Sequence, residues 1–317
     1  MAFFTERLIP LTDITADDTT YQISSTIDKP LAPLVQSMAG VGLLSPPILT
    51  AGEMSLFRVV AGFRRLLAAR QLGMARIPCR VMEAAAPLDC FRIAIADNAL
   101  QRSLNTAEQA RAVAGLAGLF EDPAAIQQAA AEAGMTVTPD LLTKLLAVNS
   151  LPAEMRDEIS LGNLGLAMAV ELAGLESPAA LALGRLFREL RLGLNKQREV
   201  LHRVREIAAR ERTHLTALLA EDGIREILAD PKSDRAHRGE QLRRYLERRR
   251  YPAITRAEEA FARRVKALQP GPKARLAPPR NFEGRRYTLT LLVDDKKDLE
   301  THICLLQRLA DSNLLEK

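Results

Sequence analysis

Between residues 87 and 229, alanine and leucine recur at i, i+3 and i+4 almost without interruption, the pattern of helices that bury one face. Breaks at Asp122-Pro123, Gly134, Leu151-Pro152, Gly162 to Gly165, Ser177-Pro178 and Gly193 cut the pattern into segments. At roughly 8–16 residues each, these are too short for a coiled coil and suit a compact bundle. Upstream the period changes. Arg7–Ile14, Pro47–Thr50, Phe57–Ala61 and Ile77–Met82 are strand-length runs, with helical patterns at Lys29–Gly40 and Arg64–Leu72 between them. The second of these ends at Gly73, suited to the left-handed C′ position. The expected fold class is α+β: a small mixed α/β domain over residues 1–95, a helical domain over 96–229, and further elements beyond.

Those further elements begin with a basic helical region over 230–268, interrupted near Tyr251-Pro252. Residues 269–280 hold four prolines in twelve positions and read as an extended linker. Residues 281–317 read as a strand, Arg286–Val293, followed by an amphipathic helix, Lys296–Ala310. Tyr287, Leu289 and Leu291 on the strand and Ile303, Leu306 and Leu309 on the helix form apolar faces that so small a unit cannot bury alone. Self-association through 281–317, giving a homodimer, is the expectation.

No stretch of about 18 apolar residues is present, so a membrane span is not expected. Residues 1–7 lack the basic-then-apolar character of a signal segment. Cys79, Cys90 and Cys304 are odd in number and widely spaced, which signals neither a disulfide framework nor a zinc site. The expected location is cytoplasmic. The first 201 residues contain no histidine, which excludes from them Ser-His or Cys-His nucleophile pairs and histidine-based metal sites. No Gly-x-x-x-x-Gly-Lys-Ser/Thr loop and no Gly-x-Gly-x-x-Gly turn occurs.

Formal net charge is +5, and 35 of the 44 basic residues are arginine, the better bidentate phosphate ligand. From Lys232 to Lys266 twelve Lys/Arg face five Asp/Glu, a local +7. Too many arginines for those five acids suggests a polyanion against them, with Arg243, Arg244, Arg248 and Arg249 as candidate DNA contacts; a solvated helix face is the alternative.

Two segments carry more specific chemistry. Phe57–Val81 (FRVVAGFRRLLAARQLGMARIPCRV) reads as strand, glycine, helix, strand. Gly62 turns the backbone and places Arg64 and Arg65 in the first helical turn, where free amides and two guanidinium groups favour an anion. A solvated surface is the competing reading. Asp97–Ala110 (DNALQRSLNTAEQA) places Asp97, Asn98 and Arg102 about one turn apart if helical, so that acid and arginine share a face able to hold Mg²⁺ and phosphate, or merely face solvent.

These segments, with Gly42–Leu49 (GLLSPPIL), resemble the N-terminal domain of ParB-family partition proteins, and the likeness extends over about residues 7–205. The family reads Gly-Leu-Leu-Gln-Pro, Gly-Glu-Arg-Arg and Glu-Asn-x-Gln-Arg; here Ser45 stands for the glutamine, Phe63 for the first glutamate and Asp97 for the second. The Gln-Arg pair falls one residue late, at Gln101-Arg102. The resemblance implies a CTP site formed by Gly62, Arg64, Arg65, Asp97, Asn98, Gln101 and Arg102, with Mg²⁺ at Asp97, and at most weak CTP hydrolysis. It also implies a helix-turn-helix, with Ile126–Gly134 as its first helix and turn and Pro139–Val148 as its recognition helix. Thr136, Thr138, Thr143 and Lys144 are the candidate DNA contacts there. Further along, the family's histidine and arginine fall on Met168 and Val170. The function implied is a nucleoid-associated, DNA-binding partition protein for a chromosome or plasmid, CTP-gated, with a ParA-like ATPase as partner. The alternatives are an adaptor or transcriptional regulator that has lost CTP hydrolysis, or a ParB-like nuclease, for which Asp89, Asp97 and Glu108 are scattered.

Overall fold

In this computed structural model the described residues are 4–15, 17–24, 30–52, 56–83 and 85–312. They divide into two compact units, residues 1–198 and 199–317.

The first unit opens with a four-stranded mixed sheet in the order β1-β4-β2-β3. Its strands are β1 (Phe4–Pro10), β2 (Ile48–Ala51), β3 (Phe57–Ala61) and β4 (Arg76–Met82). β1 and β3 pair antiparallel with β4 and β2, whereas β2 and β4 run parallel. The first strand is displaced from the expected run Arg7–Ile14, beginning at Phe4. Pro10 ends it, a 3-10 turn follows over Leu11–Asp13, and Ile14 makes only an isolated bridge to Phe57. Helices α1 (Ala32–Val41) and α2 (Phe63–Gln71) cover the sheet, with Met38, Leu66 and Ala69 packed against Leu49, Val59, Ile77 and Val81. Gly73, just past α2, has φ +68°, the left-handed cap expected of it.

Helix α3 (Pro87–Ala99) leaves the sheet and packs near β3 and against α4 (Thr106–Ala117). The two helices meet at a glycine. A Cβ on Gly115 would lie 2.2 Å from the Phe91 ring, so only glycine admits that side chain. Then follow α5 (Pro123–Glu132), α6 (Pro139–Asn149), α7 (Ala153–Ser160), α8 (Leu166–Ala173) and α9 (Ser177–Leu190), each near a predicted break. Gly134, between α5 and α6, has φ +87°, and the buried Ala130 lies four residues before it. Met168 is fully buried, so the residue in place of the family's histidine is part of the core.

The second unit is built from the rest of α10 (Leu194–Glu211), then α11 (Leu215–Leu219), α12 (Asp222–Ala229), α13 (Arg235–Arg250) and α14 (Pro252–Leu268). A hairpin of β5 (Ala274–Ala277) and β6 (Thr288–Leu291) follows, then α15 (Lys296–Ala310). Two expectations are corrected here. Residues 269–280 are not wholly extended linker, because Pro270, Pro272, Pro278 and Pro279 flank rather than interrupt β5, leaving Ala274–Ala277 able to pair. The terminal strand thereby gains a partner, and the Tyr287 ring stacks on Phe261 of α14. Leu309 is buried within the unit, while Ile303 and Leu306 remain about half exposed, so the predicted stripe divides between two faces.

Candidate functional site

The sharp turn from β3 into α2 requires Gly62. Its φ is +98°, and a Cβ there would stand 3.0 Å from both Cα and Cβ of Pro47. This turn leaves the N-terminus of α2 without a side-chain cap and puts Arg64 and Arg65 in its first turn. α3 brings Asp97 and Asn98 to the same place. Gly62, Arg64, Arg65, Asp97, Asn98, Gln101 and Arg102 all line one cavity of about 330 Å³, together with Tyr21, Leu34 and Phe63. Seven residues from segments more than thirty positions apart in sequence thus share one surface.

Their pairing is not the one expected. α3 ends at Ala99, so Gln101 and Arg102 lie beyond the helix and the shared Asp97/Arg102 face does not form. Asp97 accepts instead from Arg65 at 3.1 Å, and the same guanidinium donates to the Ser45 carbonyl at 2.9 Å and hydroxyl at 2.8 Å. Arg102 forms a bidentate pair with Glu108, at 2.6 and 2.5 Å. Glu108 is 0% exposed and also closes a capping box with Asn105 at the start of α4. Arg64 donates to the Pro30 carbonyl at 2.9 Å, and the Asn98 amide donates to the Ala94 carbonyl at 2.8 Å.

Sequence reasoning missed Tyr21, and it named Ser45 and Glu108 without assigning either to this site. For Glu108 a signal existed, since Asn-x-x-Glu before an apolar run is a capping-box pattern. Tyr21 carried none: it reaches the wall from a loop, with its ring edge-on to Phe91 at 4.9 Å. Burial pushes the Tyr21 hydroxyl up from its ordinary value, and the buried Cys90 thiol likewise. The Cys79 thiol, also buried, is pushed up to about 11. Both thiols are therefore protonated at neutral pH and poor nucleophiles.

The residues suit an anionic nucleotide: an uncapped helix N-terminus, two arginines, the Asn98 and Gln101 amides, and two aromatic rings on the wall. Among the described residues no group of three His, Cys, Asp or Glu side chains gathers into a metal site. A Mg²⁺ ion arriving on phosphate oxygens needs only one or two protein oxygens, a demand Asp97 or Asn98 meets. A second cavity, of about 500 Å³, is lined by Thr20, Arg111, Asn149 and Arg156 among others, and Ile23 and Ser24 form part of the wall of both.

Thr136, Thr138 and Thr143 are exposed and Lys144 is half-buried. Thr138 caps α6, accepting from the Leu141 amide at 3.3 Å, and Lys144 pairs with Asp140 at 2.5 Å.

The expectation that the arginines of α13 exceed the acids able to pair with them is corrected. Arg243 pairs with Glu199 at 2.8 Å, Arg244 with Glu240 at 2.5 Å, and Arg250 with Glu206 at 2.5 Å. Arg249 binds both Glu211, at 2.5 Å, and Glu221. The partners lie mostly outside the basic stretch. Glu199 and Glu206 are seven apart, as are Arg243 and Arg250, so α10 and α13 run parallel with their charges one heptad apart. Counting only nearby acids hid this. Of the four candidates, only Arg248 has no ion pair among the described residues.

Residues 5–99 match the family model of the ParB N-terminal domain, so the sheet, α1, α2 and α3 constitute a domain of that class. No curated protein matches the chain. Among solved structures it is similar to the C-terminally truncated chromosome-partitioning protein ParB from Caulobacter crescentus complexed with CTP-gamma-S. Identity there is 24%, over 57% of this chain and 98% of that one, with a TM-score of 0.27. The same C. crescentus protein complexed to the centromeric parS site gives 22% over 60% and 96%, with a TM-score of 0.33. A Pnob8-like ParB-N domain gives 12% over 78% and 98%, with a TM-score of 0.41. All three scores lie below 0.5, so the assignment of the domain rests on residues 5–99.

Proposed function

We propose that this chain is a partition-type, DNA-associated protein whose N-terminal cavity takes CTP and gates its hold on DNA. The observation that carries the reading is the convergence of Gly62, Arg64, Arg65, Asp97, Asn98, Gln101 and Arg102 on one cavity inside a ParB N-terminal domain. In this reading Arg64, Arg65 and the first-turn amides of α2 hold the phosphates. Asn98 and Gln101 supply neutral hydrogen bonds, and Asp97 or Asn98 meets the accompanying Mg²⁺. Tyr21 and Phe63 bound the less polar part of the wall. Bound CTP would draw Arg65 from Asp97 onto its phosphates, and the freed Asp97 carboxylate would meet those phosphates only through Mg²⁺, so that α2 and α3 would be linked through the metal-bound triphosphate.

The helix-turn-helix of this proposal is α5 and α6, with Thr136, Thr138, Thr143 and Lys144 toward DNA. A homodimer through residues 281–317, a ParA-like ATPase as partner and a place on the nucleoid complete it. The experiment is a nucleotide panel of CTP, ATP, GTP and UTP on wild type and the Arg64→Ala/Arg65→Ala variant. CTP selectivity in wild type, lost by a hundredfold or so in the variant with unchanged far-UV dichroism, is expected. Equal affinity in both proteins removes the site, and absence of CTP binding in wild type favours the adaptor alternative.

A further inference from the structure

The second cavity, of about 500 Å³, is assembled from separate segments of the first unit. The loop before α1 brings Gln22 and Ser24, α4 brings Arg111, and the end of α6 with the start of α7 brings Asn149, Arg156 and Asp157. All six are half-buried. The volume lies within the range of small-molecule clefts, and apart from Ser24 none of these side chains belongs to the nucleotide cavity.

The polar groups of this cavity are only partly engaged within the protein. Arg111 donates to the Ile23 carbonyl at 3.0 Å, which fixes its guanidinium against the loop. Arg156 donates to Asn149 Oδ1 at 3.2 Å and forms no ion pair among the described residues, so most of its five N–H donors are left over. The Asp157 carboxylate also has no ion pair among the described residues. Two cations against one acid leave the wall with a positive surplus. The N-terminus of α7 adds to it. Ala153, the first residue of that helix, is on the wall, Pro152 supplies no side-chain cap, and Glu154 is held by Arg185 at 2.7 and 2.9 Å.

We infer that this cavity binds a sugar phosphate. The two guanidinium groups and the uncapped helix end match a phosphate. Asp157 accepts from sugar hydroxyls, as an acidic residue does from ribose in dinucleotide sites, and the Gln22 and Asn149 amides serve the remaining oxygens. A nucleobase is poorly served. Among the described residues of the wall none is aromatic, whereas Tyr21 and Phe63 bound the nucleotide cavity. A purely apolar ligand would find little beyond Ile23 and Ala153. The inference does not depend on CTP.

The test is calorimetric titration of the full chain with ribose 5-phosphate, with ribose and with inorganic phosphate. Wild type should bind ribose 5-phosphate more tightly than either fragment. Arg156→Gln should weaken it roughly tenfold or more. Asp157→Ala should cut the preference for ribose 5-phosphate over inorganic phosphate by about tenfold, because it removes the hydroxyl acceptor while sparing the phosphate. Ala153→Leu, which fills the cavity without deleting a polar group, should also abolish binding and decides the matter if Arg156→Gln unfolds. Arg64→Ala/Arg65→Ala should bind ribose 5-phosphate as wild type does. Wild-type affinity weaker than about 1 mM overturns the inference, as does wild-type affinity in both Arg156→Gln and Ala153→Leu. Loss in the Arg64→Ala/Arg65→Ala variant alone would place the sugar phosphate in the nucleotide cavity and overturn it too. Each of these results leaves the proposed function standing. Binding of ribose 5-phosphate by a wild type that ignores CTP supports this site and removes that function.

Discussion

At Gly62 the requirement is steric on two counts, a left-handed backbone and a wall of Pro47 atoms. Gly62→Ala should therefore cost about 1–3 kcal/mol in chemical denaturation and should reduce nucleotide affinity in parallel, because the α2 amides shift with the turn. A neutral result would mean that the β3–α2 turn relaxes freely. Gly115 makes a comparable demand from further away. Adding a methyl group displaces Phe91, whose ring supports Tyr21 on the cavity wall. Gly115→Ala is expected to destabilise by roughly 1–3 kcal/mol, read from the melting curve. The sequence made Gly62 conspicuous, since it lies between a strand and two arginines. Gly115 was silent, because a glycine inside an alanine-rich helix looks like any small residue until its neighbour is known.

Among elements, legibility follows the reach of the interactions. Helix and strand positions came from local period, and α15 was anticipated over its full span, Lys296–Ala310. The pairing of Arg102 with Glu108 and of α13 with α10 depends on which segments meet, and no local period encodes that. The α10–α13 contact has a pH signature. The Arg249 guanidinium holds the Glu211 carboxyl below its ordinary value of 4.5, so its folded value is the lower of the two. The stabilisation is therefore complete above about pH 4.5 and disappears as the pH falls through the folded value. Wild type should lose melting temperature more steeply below that point than Glu211→Gln does, and the two curves should converge in acid. Parallel curves would deny the pair any energetic role. At neutral pH Arg249→Ala, which leaves Glu211 with Arg210 alone and Glu221 with only the Tyr245 hydroxyl, should cost about 1 kcal/mol.

For the molecule as a whole, the α+β class and the order of its parts were readable because the apolar period changes near residue 87. Assembly was read from leftover apolar surface. Leu292, Val293, Leu299, Ile303 and Leu306 are 43–60% exposed, apolar side chains that a partner could cover. A chain ending before residue 281 is expected to scatter light as a monomer where the full chain does not, and an unchanged mass would refute assembly through this end. The glutamate–arginine ladder of residues 199–250 also bears on how stability is measured. Guanidinium chloride is a salt as well as a denaturant, so it screens those pairs while it solvates the core; urea does only the second. Extrapolated to water from the two denaturants, the unfolding free energies should disagree, with the guanidinium value the smaller.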